Sequence, residues 1–224
     1  MKYQEILNKG SRVLRDCNIK SSSLDCELIL SKVLNKKREE ILINLNNKIT
    51  KQQENEFIFY LNKRRKKNPV PYILGYKYFW KYKFYINKSA LIPRPESEHL
   101  VEECLKYMPV NKSMKILDIG TGSGCLVVSL LKERYNCIAS AIDISKEALK
   151  VAKINAKLHH LENKIKFFNI DIDKYNSSKY DLILSNPPYI ELHKINCLEE
   201  DIKKYEPKVA LNGGVDGFSK TRLV

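Results

Sequence analysis

The sequence predicts an α/β protein with a doubly wound parallel sheet, preceded by a small helical domain and a β-hairpin linker. Three observations carry that expectation. Residues 1–67 place apolar side chains at three- and four-residue spacing, and residues 76–86 change to a period of two. From about residue 112, short β-branched runs alternate with helical patterns around a glycine-rich turn. The chain has 224 residues, of which 43% are hydrophobic and 29% charged. That is ordinary globular composition, and the length suffices for a core without disulfide or metal staples.

The helical domain is expected over residues 1–68. Leu24, Leu28 and Ser31, with Cys26, Ile29, Leu30, Val33 and Leu34, recur at helical spacing between charged positions. Ser22 stands three residues before Asp25, and Thr50 three before Gln53, so both resemble capping boxes that open helices. The second of these helices carries residues 57–61 and ends in Lys63-Arg64-Arg65-Lys66-Lys67, positive charge at the negative end of the helix dipole. That run reads as a solvated helix terminus or as a surface that touches RNA.

Pro69 and Pro71 end the helix and open a linker over residues 69–111. Tyr76, Tyr78, Trp80, Tyr82, Phe84 and Ile86 occupy every second position with lysines between them, which predicts a strand or hairpin burying that set on one face. Such aromatics can stack on bases, but a row at strand spacing more often serves a core. Strands of the main domain, residues 112–224, are expected at 115–118, 138–141, 165–170 and 181–184.

Composition excludes several classes. Apolar runs fall far short of the 18 residues of a membrane helix, and the first twenty residues are too polar for a signal peptide. A soluble, cytoplasmic protein with no membrane partner is expected. Six scattered cysteines without a CxxC pair argue against a disulfide scaffold or a metal site. The net charge is +14, with 32 lysines among the 40 basic residues. Residues 1–88 hold 20 basic and 8 acidic residues, whereas residues 89–224 hold 20 and 18. The asymmetry fits an acidic partner such as nucleic acid or a ribonucleoprotein, and equally the amino-acid bias of an AT-rich genome.

The sharpest motif is Lys115-Ile116-Leu117-Asp118-Ile119-Gly120-Thr121-Gly122-Ser123-Gly124, an apolar strand running into a GxGxG turn and then an apolar helix. Glycines there let backbone approach a ligand closely and expose the first helical N–H groups. Asp143 falls at the end of the next strand, where an acid hydrogen-bonds ribose hydroxyls. The GxGxG spacing, with Asp118 placed near a cationic methionine end, favours S-adenosylmethionine (SAM) over a nicotinamide cofactor. A second motif, Asn186-Pro187-Pro188-Tyr189, ends the fourth strand, where α/β sheets bind ligands. An Asn side-chain oxygen and a proline carbonyl can accept both hydrogens of a planar –NH₂, and a Tyr ring can pack on its plane. Holding both N–H bonds steers the nitrogen lone pair toward an in-line methyl donor, which is catalysis by positioning.

Residues 118–124 together with 186–189 resemble amino-methyltransferases acting on planar nitrogens. More narrowly, residues 68–80 and Leu91-Ile92-Pro93-Arg94-Pro95-Glu96-Ser97-Glu98 are similar to the HemK/PrmC family of release factor glutamine methyltransferases, and Asp201, Tyr205-Glu206-Pro207 and Ala210-Leu211 match downstream. The resemblance runs from about residue 3 to the last. It implies a helical N-terminal domain facing release factor or ribosome, a hairpin linker and a SAM-binding Rossmann-like domain. It further implies methylation of the Gly-Gly-Gln glutamine of class I peptide-chain release factors. Carried over residue by residue, Gly120, Thr121, Gly122, Ser123, Gly124 and Asp143 bind SAM. Asn186 contacts both SAM and substrate, and Pro187, Pro188 and Tyr189 frame the glutamine. Asp171 or Ile172 stands where the family often has an aromatic residue near the adenine.

The family pattern continues with a fifth strand and a closing antiparallel pair. Only 35 residues follow Tyr189, and none of them reads as those strands. The chain is therefore expected to be C-terminally truncated, or its sheet to be completed by another segment; otherwise the fourth strand is a bare edge and stability is weakened, with activity left open. Two other readings stand beside this one: an N-methyltransferase acting on adenine or guanine in RNA or DNA, and an inactive relic that still binds release factor or ribosome. A general-base hydrolase is disfavoured, because His99, His159, His160 and His193 lack a nucleophile context.

Overall fold

Apolar spacing in the first third of the chain closes into a helical cluster: α1 (Tyr3–Asp16), α2 (Ser22–Leu34), α3 (Arg38–Leu42), α4 (Lys51–Arg65) and α5 (Val70–Leu74). These positions come from a computed structural model that describes residues 1–176 and 179–224. The chain divides into two units, Met1–Gly75 and Tyr76–Val224. In the first, Ile6, Leu14, Cys26, Ile29, Leu30 and Phe57 are buried in a common core. Gly10 permits the crossing: a Cβ there would lie 2.9 Å from Cys26 Sγ and 3.0 Å from the Phe57 ring.

Thr50 opens α4 as its spacing predicts. Its hydroxyl accepts from the Gln53 N–H at 3.2 Å, and Gln53 Oε1 accepts from the Thr50 N–H at 2.9 Å. Ser22 does not cap α2; Ser21 is the N-cap, and neither residue makes a side-chain cap bond. Packing overrides the local motif here. Ser22 is buried and accepts from the Ser11 hydroxyl, while Asp25 forms a buried ion pair with Arg64 at 2.7 Å. The basic run is thus partly structural, since Lys67 Nζ also donates to the Cys17 carbonyl at 2.7 Å.

In the second unit, β1 (Tyr76–Phe79) and β2 (Tyr82–Tyr85) form an antiparallel hairpin with Phe79 opposite Tyr82. The expected hairpin is present, but its buried face is not the even-numbered row. Phe79, Phe84 and Ile86 are buried, whereas Tyr78 is 63% exposed. The two-residue turn at Trp80-Lys81, with Trp80 at φ +54°, reverses the chain and so switches which parity faces inward.

There follow α6 (Glu98–Lys106), β3 (Lys115–Ile119), α7 (Cys125–Glu133), β4 (Ile138–Asp143), α8 (Lys146–Leu158), β5 (Ile165–Asn169), β6 (Leu182–Ser185) and α9 (Glu200–Tyr205). The four later strands form a parallel sheet in the order β5-β4-β3-β6. This is the doubly wound, Rossmann-like arrangement expected. Residues 116–119 of β3 are all buried, as a central strand covered on both faces requires. The chain winds outward from β3 through β4 to β5 and then returns to the other side of β3 as β6. A topological switch point therefore lies between β3 and β6, and the crevice at the carboxyl ends of those strands is where such sheets bind ligands. Residues 190–224 contribute α9, short 3₁₀ turns and an isolated bridge between Ile190 and Asn212. No helix among the described residues is long and apolar enough to cross a membrane.

Candidate active site

A cleft of the second unit opens at that switch point. One wall is the turn after β3, of which Gly120, Thr121, Gly122 and Ser123 line the cleft and Gly124 does not; all three glycines have positive φ. The turn is held from behind: the amides of Gly120 and Thr121 both donate to the Ile142 carbonyl, at 2.9 and 3.0 Å. Two of its glycines do different work. A Cβ on Gly120 would meet nothing within 4 Å, so the bare backbone faces open space that a ligand can fill. A Cβ on Gly124 would lie 3.2 Å from Ala152 Cβ, so that glycine lets α7 start against α8.

Asp143 ends β4 on the same cleft. Its Oδ2 accepts from the Gly122 N–H at 2.9 Å and its Oδ1 from the Ser145 N–H at 2.8 Å. Burial pushes its carboxyl above the ordinary range, and those two amides pull it back. Asp171 and Ile172, just past β5, also line the cleft, as do Thr121 and Ser123. Asp118, expected beside the ligand, is instead fully buried beneath the turn and is not among the cleft residues. Its Oδ2 accepts from the Thr121 hydroxyl at 2.6 Å, while Oδ1 has no partner of normal hydrogen-bond geometry among the described residues. Burial raises its carboxyl to about 7 against the pull of that hydroxyl.

The opposite wall follows β6. Asn186, Pro187 and Pro188 line the cleft. Tyr189 does not; it is 70% exposed outside the cleft. The register pairs Ser185 with Ile119, and the Ser185 hydroxyl donates to the Ile119 carbonyl at 2.8 Å, so the two walls begin level. The backbone after Pro188 packs on a glycine loop: a Cβ on Gly213 would lie 2.8 Å from the Pro188 carbonyl.

Several site residues escape sequence reasoning. Ser97 accepts from Asn186 Nδ2 at 3.1 Å. Glu206, nearly inaccessible, accepts from Arg94 Nη2 at 2.5 Å and from the Ile92 N–H at 3.3 Å, and so holds Arg94, which lines the cleft. Burial still raises its carboxyl, outweighing Arg94. Asn155, fully buried on α8, donates to the Ser123 carbonyl at 2.8 Å and pairs with the Tyr85 backbone at 2.7 and 3.0 Å, tying the glycine turn to the hairpin. Arg94, Ser97 and Glu206 lie in the motifs that carry the family resemblance, so a signal existed for them. Asn155 has none beyond being polar on an apolar helix face.

This donor set suits SAM. A bare glycine backbone allows close approach, an anchored carboxylate can accept ribose hydroxyls, and Ile142, Ile170 and Ile172 supply apolar wall. Comparison with known proteins agrees. Residues 98–206 match the methyltransferase small domain, and residues 5–75 match the PrmC N-terminal domain. The chain is 36% identical to a release factor glutamine methyltransferase of Clostridium acetobutylicum, covering 100% of this chain and 80% of that protein. It is 37% identical to one of Caulobacter vibrioides, covering 93% and 73%. It is also 32% identical to a bifunctional methyltransferase of Rickettsia felis, covering 99% of this chain and 47% of that longer protein. The chain belongs to the release factor glutamine methyltransferase family.

Proposed function

We propose that this chain transfers a methyl group from SAM to the side-chain amide nitrogen of the glutamine in the Gly-Gly-Gln motif of class I peptide-chain release factors. One observation carries the reading: the glycine turn and Asn186-Pro187-Pro188 form facing walls of one cleft at the carboxyl ends of adjacent strands. When bound, SAM supplies an electrophilic methyl on a sulfonium. Gly120, Thr121, Gly122 and Ser123 would cradle it, Asp143 would accept from its ribose hydroxyls, and Asp171 or Ile172 would border its adenine.

The acceptor is the harder partner, because an amide nitrogen has its lone pair delocalised into the carbonyl. Asn186 Oδ1 and a proline carbonyl of the 186–189 run accept its two N–H bonds. Two consecutive prolines hold that carbonyl with fixed φ. The nitrogen is then presented with its lone pair toward the methyl donor, and such orientation can contribute up to roughly 7–11 kcal/mol. Tyr189, exposed and next in sequence to Pro188, covers the glutamine plane once a release factor docks.

The basic N-terminal region supports a location near the ribosome. Lys63 Nζ lies 4.3 Å over the ring of Phe59, which is 55% exposed. A cation on an exposed aromatic suits RNA contact. Such contact, and work in the cytoplasm where release factors act, belong to this proposal.

The test is transfer of labelled methyl from SAM to a purified class I release factor, with a Gly-Gly-Gln glutamine→alanine factor and ribosomal RNA as parallel acceptors. Label on the intact factor alone is expected. Label on RNA instead would replace this reading with a nucleic-acid methyltransferase.

A further inference from the structure

Ser97 belongs to the Arg94-Pro95-Glu96-Ser97-Glu98 segment, which the reaction as described does not use. The segment is held on several sides. Arg94 pairs with Glu206, the Ser97 N–H donates to the Arg94 carbonyl at 3.0 Å, and Glu98 Oε1 accepts from the Trp80 N–H at 2.8 Å. Its 3₁₀ turn, Pro95–Ser97, runs directly into α6. Ser97 and Asn186 line the same cleft, and Asn186 Nδ2 donates to Ser97 Oγ.

An asparagine amide is chemically two-faced. One end offers two donors and the other an acceptor, and the torsion that exchanges them is soft. Only the acceptor end can hold the N–H of a substrate amide. An Asn186 free to flip would spend part of its time presenting –NH₂ to –NH₂, which is repulsive. In this structure Ser97 Oγ accepts from the donor end at 3.1 Å, which fixes the place of the side chain and leaves Oδ1 as the end available to the substrate. Resting on the glutamine-amide reading above, we infer that Ser97 is a positioning residue that locks the Asn186 side chain with its carbonyl oxygen toward the acceptor nitrogen.

The test compares the intact chain with Ser97→Ala and Ser97→Thr. Ser97→Ala should lower kcat for methyl transfer to release factor by about 10²-fold, the scale of a misplaced catalytic group. Affinity for SAM, read by calorimetry, should fall far less than kcat. Ser97→Thr keeps an acceptor oxygen and should restore most of the rate. A second readout needs no turnover: the side-chain –NH₂ proton signals of Asn186, identified by their loss in Asn186→Ala, should shift and exchange faster with water in Ser97→Ala. A Ser97→Ala protein that keeps full kcat beside an active wild type would overturn the inference. So would a loss of SAM affinity and melting temperature that accounts for the lost rate. If the wild type labels no release factor, the glutamine reading falls by itself. Asn186 signals unmoved by Ser97→Ala would then overturn the Ser97 lock as well, and shifted signals would uphold it.

Discussion

Asn186 and Asp118 show two uses of a polar side chain at the end of a strand. Asn186 lines the cleft with one end of its amide engaged, and the proposed reaction depends on the other. Asn186→Ala should lower kcat by at least about 10²-fold while leaving the thermal melting curve in place, because the residue borders solvent rather than the core. Full activity in that variant would remove the positioning mechanism. Asp118 is sealed under the glycine turn, and burial raises its carboxyl from the ordinary 3.8 to about 7. The folded protein therefore binds this proton more tightly than the unfolded chain. Its contribution is fully present below about pH 4 and is lost as pH climbs to about 7, above which the penalty is constant. Asp118→Asn can still accept from Thr121 but cannot ionise. Its advantage over the wild type in urea unfolding should grow between those pH values, by about 4 kcal/mol at about 1.4 kcal/mol per pKa unit. A difference that stays flat with pH would show that Asp118 does not titrate in this way.

Elements rather than single residues decided what could be read in advance. The parallel sheet and its crossovers were legible because β-branched runs and the glycine turn are local signals. Thr50 was legible because its cap is also local. The hairpin's inner face was not, since parity depends on a two-residue turn at Trp80 that the alternating row conceals. Ser22 misled because Asp25, its apparent capping partner, is engaged by Arg64, 39 positions away. The cleft followed the same division: its two walls are contiguous motifs, whereas Ser97 on Asn186 and Glu206 on Arg94 meet only after folding. Gly124 is the element-scale test. At φ +78° and with Ala152 at contact distance, Gly124→Ala combines a left-handed backbone, costing roughly 1–2 kcal/mol, with overpacking of roughly 1–3 kcal/mol. A lowered urea midpoint with unchanged slope is expected; a shift smaller than either contribution would mean that α7 and α8 yield easily.

At the scale of the whole molecule, the two units have separate cores. The helical unit closes on its own buried cluster and on the Asp25–Arg64 pair, with every residue of that cluster lying within Met1–Gly75. A fragment of those residues should fold alone and melt cooperatively by circular dichroism. A fragment with no unfolding transition would show that this cluster needs the remainder of the chain.

The return of β6 to the far side of β3 also has a consequence in time. The Ser185 hydroxyl and the Ile119 carbonyl meet across 66 positions of chain. One wall of the cleft is complete when β4 has docked, but the other does not exist until β6 arrives. Closing so long a loop is slow compared with forming a helix. During refolding, helical signal should therefore recover before any capacity to bind SAM. On a translating ribosome the glycine turn would emerge early and wait, a nucleotide cradle with one side open, for the asparagine that completes it.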